Sequence, residues 1–429
     1  MATYYIDASL GNNNNSGLSE EQALLSDADL KLKPGDTVRY KRGTVIRDIM
    51  HNVSGTEGKP ITYAAYGEGE KPVFCGSQDL SNPDLWEKTE DNIWACNADD
   101  EICNFIFNGG ESCGALKWSK NELCEQGDFF DECFGYRVNG KCIPEGHKIY
   151  MFSHENPAAA YNSVEAAFFG ERITANNGND MIFEDLKFMN IGVHVIAGEY
   201  KSKNLLVKNC IFERIGGGVW DEKNKIRYGN CVEFWDVAEN IEVTGCVFND
   251  IYDSAVTHQG LEKCIPAKNM NFHHNLFIKC GMAAYEQRDK MPQSSRFCDN
   301  ICVDAGEGFS KLGEEMPRFS EIWPQPMGHH VFLWRINEPS ENGSLEIKNN
   351  IFYNAPYGAD IYSIISAAAE EQVDIDGNIY YNENKDLLCR WGGHNYSTFD
   401  EYKGIDKAGK YEKTDIEKVI NKYIKEWNL

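Results

Sequence analysis

Three acidic side chains stand where charge is out of place. Glu233 interrupts the apolar run Cys231-Val-Glu-Phe-Trp235, Asp253 follows Ile251-Tyr252 at a turn, and Glu286 lies within Ala283-Ala-Tyr-Glu-Gln287. Carboxyls held close together have a specific use. Cleavage of a glycosidic bond needs one carboxyl to protonate the leaving oxygen. A second acts as nucleophile at about 5 Å, or as base for water at about 6.5–9.5 Å. Close carboxylates also raise one another's pKa, which keeps one protonated. The surrounding residues suit a sugar. Trp235, Tyr285 and Trp334 offer flat faces, while His258, Gln259, Arg288 and Arg335 offer bonds to hydroxyls. Arg227 ends an inserted segment ahead of Glu233, and His330 precedes an apolar strand; both are expected to touch substrate. The expected catalytic residues are Glu233, Asp253 and Glu286, with Glu233 and Asp253 as the first pair and no metal or cofactor.

Each residue also has an ordinary reading. Glu233 can be a plain outward-facing glutamate, and Asp is common at turns because it bonds its own backbone. Glu286 can pair with Arg288, His258 can belong to a structural polar ladder, and Trp334 can be a core aromatic. The chemistry therefore depends on whether the fold brings these residues together.

The second half of the chain supplies the elements that would do so. Seven segments resemble one another: Asp185-Leu-Lys-Phe188, Asn209-Cys-Ile-Phe212, Thr244-Gly-Cys-Val-Phe248, Asn275-Leu-Phe277, Asn300-Ile-Cys302, Asn350-Ile-Phe352 and Asn378-Ile-Tyr380. Their spacing is a unit of about 24–29 residues with two insertions, and such a period signals stacked supersecondary units. Val, Ile, Phe and Tyr alternate with polar residues between Gly, Asn and Asp, which is strand chemistry without a helical stripe. Two or three short strands per unit predict an all-β parallel β-helix. Asn fits the turns, because it tolerates left-handed backbone angles, and Asn at one repeated offset would stack into a ladder.

In such a solenoid, equivalent positions on successive coils sit about 4.8 Å apart. Aligning Val193-His-Val-Ile196, Cys231-Val-Glu-Phe-Trp235, Ala255-Val-Thr-His-Gln259, Ala283-Ala-Tyr-Glu-Gln287 and Val331-Phe-Leu-Trp-Arg335 gathers Glu233, Thr257 or His258, Glu286 and Trp334 on one face. The insertions, near 219–229 and 310–328, come just before strands that carry candidates. Loops on one side of a solenoid build its binding face. Glu314, Glu315, Arg318, Trp323 and Pro324-Gln-Pro326 are expected to form one wall of a cleft.

Composition bounds the partners. The 429-residue chain carries a net charge of −25, which argues against nucleic acid and anionic lipid. It has no apolar run long enough to span a membrane. Met1-Ala-Thr-Tyr-Tyr-Ile-Asp7 lacks a basic start and an apolar core, so a cytoplasmic location is expected, or a secreted one if a signal has been removed. The 15 cysteines are odd in number, and Cys210 and Cys246 share one repeat offset, as buried small hydrophobes would. Cys96, Cys103, Cys113, Cys124, Cys133 and Cys142 cluster without a C-x-x-C pair, which favours free thiols over disulfides or zinc.

Four regions follow. Residues 1–82 form an N-terminal cap and the first coils, with a capping box at Ser19 and Gln22 predicting a short helix. Residues 83–165 form an irregular β-rich insertion. Residues 166–400 form the β-helix with the active-site face. Residues 401–429 form a C-terminal cap with an amphipathic helix: Ile416, Val419, Ile420, Tyr423, Ile424 and Trp427 recur at helical spacing, and Thr414 with Glu417 makes a capping box. That helix is expected to close the C-terminal end or lie along the side, shielding sheet edges.

Tyr4-Tyr-Ile-Asp7, Lys33-Pro-Gly-Asp36, Lys41-Arg-Gly43 and Ser54-Gly-Thr-Glu-Gly-Lys-Pro-Ile-Thr-Tyr63, followed by the Asn/Phe repeats, resemble bacterial right-handed parallel β-helix proteins of the pectate-lyase-like superfamily of carbohydrate-active enzymes. The resemblance covers roughly residues 1–75 and 170–385. It implies a right-handed solenoid, but its folds host lyases, hydrolases, epimerases and tailspikes. The lyase members' calcium-binding Asp pattern with a Lys or Arg base is not evident. Together these features predict a glycoside hydrolase of oligosaccharides. The alternatives are a polysaccharide lyase or uronate C5-epimerase using His258 or Arg227 as base, and a non-catalytic carbohydrate-binding or phage tail fibre protein. Oligomeric state is not legible.

Overall fold

The computed structural model describes all residues except 135–136, 139–140, 143–145, 171, 199, 261–264 and 313–326. Each coil gives one strand to each of three long sheets of ten, ten and nine strands. A typical coil runs through Val237–Thr244 in the first sheet, Val247–Ile251 in the second and Ser254–Gln259 in the third. The next coil repeats this with Lys268–His273, Leu276–Cys280 and Ala283–Arg288. Successive strands within each sheet pair in parallel, as in these two coils, except His394–Tyr396, which ends the third sheet antiparallel to Cys389–Trp391. This is a right-handed parallel β-helix.

Apolar side chains of the alternating strands fill the interior. Phe74, Phe188, Phe212, Phe248 and Phe277 form one stack, with neighbouring centroids 5.4, 5.3, 4.7 and 4.8 Å apart. Cys302 occupies the next step between Phe277 and Phe352. Offset aromatic contacts at this spacing add to the burial of each ring.

Beside the aromatic stack runs an amide ladder. The side-chain amide of Asn275 donates to Asn300 Oδ1 at 3.2 Å, Asn300 to Asn350 at 3.1 Å, and Asn350 to Asn378 at 3.0 Å. Each also donates to a main-chain carbonyl on the first sheet, as Asn300 does to Phe272 O. Buried Asp406 ends the ladder by accepting from Asn378 at 2.9 Å. These four asparagines are therefore rungs. The left-handed turn falls one residue earlier, at His274, Asp299, Asn349 and Gly377. Asp185 and Asn209 are themselves the turn residues of their segments, with φ of 65° and 53°. A second ladder, Asp180, Asn204, Asn240 and Asn269, runs at the surface at positive φ.

The insertion has its own core, a two-stranded pairing of Arg137–Val138 with Lys141–Cys142, and two larger sheets. Ser77–Asp79, Ile102–Phe107, Ser112–Cys113 and Val164–Phe168 form one. The other contains Glu87–Glu90, Ile93–Ala98, Ala115–Leu116, Asp128–Asp131 and His147–Phe152. Phe105, Phe107, Phe129, Ile149 and Met151 pack between them. Cys133 is disulfide-bonded, which corrects the reading of free thiols at that position, whereas Cys96, Cys113 and Cys124 are free.

Both ends differ from expectation in detail. Glu20–Gln22 is a single 3-10 turn without a side-chain cap bond from Ser19. The C-terminal helix spans Ile416–Trp427, but Asp415 caps it by accepting from Lys418 N–H at 3.2 Å, so the Thr414 box is not formed. It lies along the flank: Tyr423 Oη donates to His274 O at 2.7 Å, and Trp427 covers Gly245. Phe399 and Tyr402, from the short helix Phe399–Tyr402, close the interior against Tyr380 instead.

The ladder makes a stability prediction. Asn300→Ala strands buried groups on both neighbours and is expected to cost about 2–4 kcal/mol in urea denaturation. Asn269→Gly, on the surface ladder and compatible with positive φ, is expected to stay within about 0.5 kcal/mol.

Candidate active site

Strand pairing in the third sheet decides which side chains share a face. Glu233 lies beside Thr257, Thr257 beside Glu286, and Glu286 beside Phe332. Phe234, His258, Gln287 and Leu333 alternate with them and turn inward. Trp235 pairs with Gln259, and Arg288 with Trp334, back on the outer face. Glu233 and Glu286 are thus two rungs apart on one surface. Asp253 sits at the corner of the rung between them, accepting from the Gly229 N–H at 3.2 Å.

These residues line a cleft of about 250 Å³. Its floor carries Glu233, Asp253, Glu286, Gln259 and Arg288, with Trp235 and Trp334 beside them. One wall is a hairpin, Gly218–Asp221 paired with Ile226–Tyr228, which contributes Trp220, Ile226 and Tyr228. The hairpin leaves the coil at a point of close approach: a Cβ on Gly229, at φ 140°, would lie 2.3 Å from Gly216 Cα. A larger groove of about 520 Å³ crosses the first sheet beside the surface ladder, but its glutamates, Glu57 and Glu242, are exposed.

Glu233 and Glu286 are both buried, yet their surroundings differ. Glu233 Oε1 accepts from Trp235 Nε1 at 2.6 Å, and Oε2 lies 2.8 Å from His194 Nδ1. Burial alone would push this carboxyl up. The charge and hydrogen bond of His194, with a bond from Asn230 and the charge of Arg288, outweigh that and hold it below the usual range. Glu286 Oε1 accepts from Trp334 Nε1 at 2.7 Å, while Oε2 accepts from Thr257 Oγ1 at 2.8 Å and Ser254 Oγ at 3.2 Å. Here burial dominates and, helped by the negative charge of Asp253, raises the carboxyl above its ordinary value against the pull of Arg288. Arg288 lies 5.4 Å from both the Trp235 and Trp334 rings.

Four expected substrate contacts lie elsewhere. His258 faces the interior between Asp236 O, at 2.9 Å, and Gln287 Nε2, at 3.0 Å, and burial depresses its imidazole. Tyr285 also faces inward, stacked on Phe297, with its hydroxyl donating to Gln287 Oε1 at 3.0 Å. Alternation forces both results, since Gln259 and Glu286 take the outer face. Arg227 donates to Gly217 O at 2.8 Å and Cys103 O at 2.9 Å, so it ties the hairpin to the insertion. His330 stacks on Phe352 in the interior, where burial pushes its imidazole down to about 3.

Glu314, Glu315, Arg318, Trp323 and Pro324-Gln-Pro326 lie outside the described residues. Sequence reasoning did not select His194, Asn230, Trp220 or Arg172, all of which line the cleft. His194 carried a signal: a polar residue in the apolar stretch Val193-His-Val-Ile196, one coil before Glu233. Trp220 is an isolated aromatic in an insertion, with no repeat to place it.

No protein-family model matches this chain, and no curated protein matches it in sequence. Solved structures do resemble it. XylC in complex with xylose aligns over 95% of this chain and 68% of its own, with TM-score 0.53 and 12% identity. A glycoside hydrolase aligns over 96% of both chains, with TM-score 0.52 and 9% identity. The pectate lyase Pel9A aligns over 92% of this chain and 78% of its own, with TM-score 0.45 and 12% identity. At these identities the likeness is one of fold.

The buried Glu286 carboxyl should cost stability when it ionises. Its folded pKa lies above the unfolded value, so its contribution is full below the unfolded pKa and lost as pH rises through the folded one. Glu286→Gln is therefore expected to melt higher than the wild type at pH 8, on the order of 2 °C by calorimetry, with the difference vanishing near pH 4.

Proposed function

We propose that this chain is a glycoside hydrolase acting on oligosaccharides, with Glu286 as proton donor and Glu233 as the base that activates water. One observation carries the reading: two buried carboxyls on one outer face, two rungs apart, are driven in opposite directions of proton affinity. Opposed pairs of this kind mark acid and base assignments. Two strand spacings amount to about 9.6 Å between the main chains. That favours the wider carboxyl separation, in which a water fits between the base and the sugar and the anomeric centre inverts.

In the reaction, the Glu286 proton passes to the glycosidic oxygen as its bond to the anomeric carbon breaks. The oxygen of water bonds to that carbon from the opposite side, and Glu233 takes the water's proton. Water is added across the bond, and both carboxyls return to their starting states by exchange with solvent. Asp253, between them, adds negative charge that favours the protonated form of Glu286. The preferred pair thus becomes Glu233 with Glu286, in place of Glu233 with Asp253. Trp220, 59% exposed at the rim, is the aromatic with an open face for a sugar ring. The glycoside hydrolase and the XylC–xylose complex among the similar folds are compatible with this reading.

A lyase acting on uronic acids is the second reading. Arg172, Arg288 and Arg335 all line the cleft, and such cations neutralise a sugar carboxylate before proton abstraction. A panel of nitrophenyl glycosides and labelled oligosaccharides separates the two. The hydrolase reading expects reducing sugar released with inverted configuration by proton NMR. Glu233→Gln and Glu286→Gln are each expected to lower kcat about 10³-fold or more. A 4,5-unsaturated, ultraviolet-absorbing product would sink the hydrolase reading, and so would undiminished turnover in both variants.

A further inference from the structure

His194 stands directly behind Glu233. It opens the strand His194–Ala197, one coil before Val232–Trp235, and its side chain is 4% exposed. Its Nδ1 lies 2.8 Å from Glu233 Oε2 and accepts from the Asn230 backbone N–H at 3.2 Å. The ring is held edge-on against Tyr228, with centroids 5.1 Å apart and planes at 83°. The 2.8 Å approach of Nδ1 to Oε2 is that of an ion pair. Trp235 occupies the other carboxylate oxygen. Each oxygen of Glu233 is therefore bound by a ring that is itself fixed by packing or by strand register.

We propose that His194 is a positioning residue for Glu233: buried at ion-pair distance from Oε2, it fixes the carboxyl and aims it into the cleft. The inference rests on the reading of Glu233 as the base. Other groups also face this carboxyl. Arg288 approaches along the same outer face, Asp253 comes from the next coil, and Glu286 from the coil beyond. Arg172 lies on the far side of Tyr228, with its guanidinium 5.6 Å from that ring. Arg288 favours the ionised form and the two acids oppose it. His194 lies 2.8 Å from Oε2, and its removal should take away the largest of the influences that offset the desolvation of Glu233.

The test is a carboxyl titration by NMR on full-length protein carrying δ-¹³C glutamate, with the Glu233 signal assigned by its loss in Glu233→Gln. In His194→Asn the Glu233 midpoint is expected to rise by about 1–3 pH units, the range for loss of an opposing charge in contact. The acid limb of kcat/KM is expected to move up with it, while KM stays within about twofold. A folded His194→Asn with an unmoved Glu233 midpoint would overturn the inference. If His194→Asn does not fold, His194→Gln is read by the same two outcomes. Full activity in Glu233→Gln would instead defeat the reading beneath the inference, and the two failures are distinct because the carboxyl titration needs no turnover.

Discussion

Strand register is the constraint on which everything else in this molecule depends. A shift of one residue in any coil would turn its outer face inward. The interior prevents that shift. Phe212, Phe248 and Phe277 stack at nearly the strand spacing, and the Asn275–Asn378 ladder bonds each coil to the next through directional amide contacts. A slipped coil would lose a ring contact and leave buried amides unsatisfied, a larger penalty than most single substitutions carry. The outer face inherits this precision. Glu233, Thr257 and Glu286 align because the inward residues between them, Phe234, His258 and Gln287, have no alternative seat.

Within the cleft, a single physical effect is turned two ways by its surroundings. Both glutamates are almost fully removed from water, which penalises the charged form of each. An indole N–H also serves each of them, Trp235 for Glu233 and Trp334 for Glu286. The neutral hydroxyls of Thr257 and Ser254 bind Glu286 without offsetting the loss of hydration. His194 does offset it at Glu233. The difference lies in the partners: His194 and Asn230 for Glu233, hydroxyls for Glu286. Arg288, packed between the two indoles, acts on both carboxyls and so does not distinguish them.

The fold was largely legible because its signal is periodic. The Phe-ending segments mark the stacked interior, and alternation around Glu233 and Glu286 places both on one face. The same logic reaches its limit at single residues. Tyr285 and Glu286 are neighbours in one strand and cannot both face the cleft, yet composition alone makes each attractive. Asn275 and Asn209 look equivalent in their segments, but one is an interior rung and the other a surface turn, a distinction of one residue in register. Arg227 was unreadable for a different reason. Its partner Cys103 lies 124 residues away in an aperiodic insertion. His194 is intermediate: its strand was visible, but its contact with Glu233 depends on the ring angle imposed by Tyr228.

The insertion gains a reason to exist from that long-range contact. A β-helix face is flat and open, and flat faces leave carboxyls hydrated. The hairpin from Gly218 to Tyr228 rises over the strand that holds Glu233, and hairpins of this length are marginal in isolation. Here it is braced twice by the insertion: Arg227 donates to Cys103 O, and the Val219 N–H donates to Glu101 Oε1 at 3.2 Å. Tyr228, at its base, packs on His194. The insertion thus fixes the hairpin, the hairpin fixes the imidazole, and the imidazole sets the state of Glu233. Removal of water from the cleft and control of its charge are two consequences of one packing arrangement.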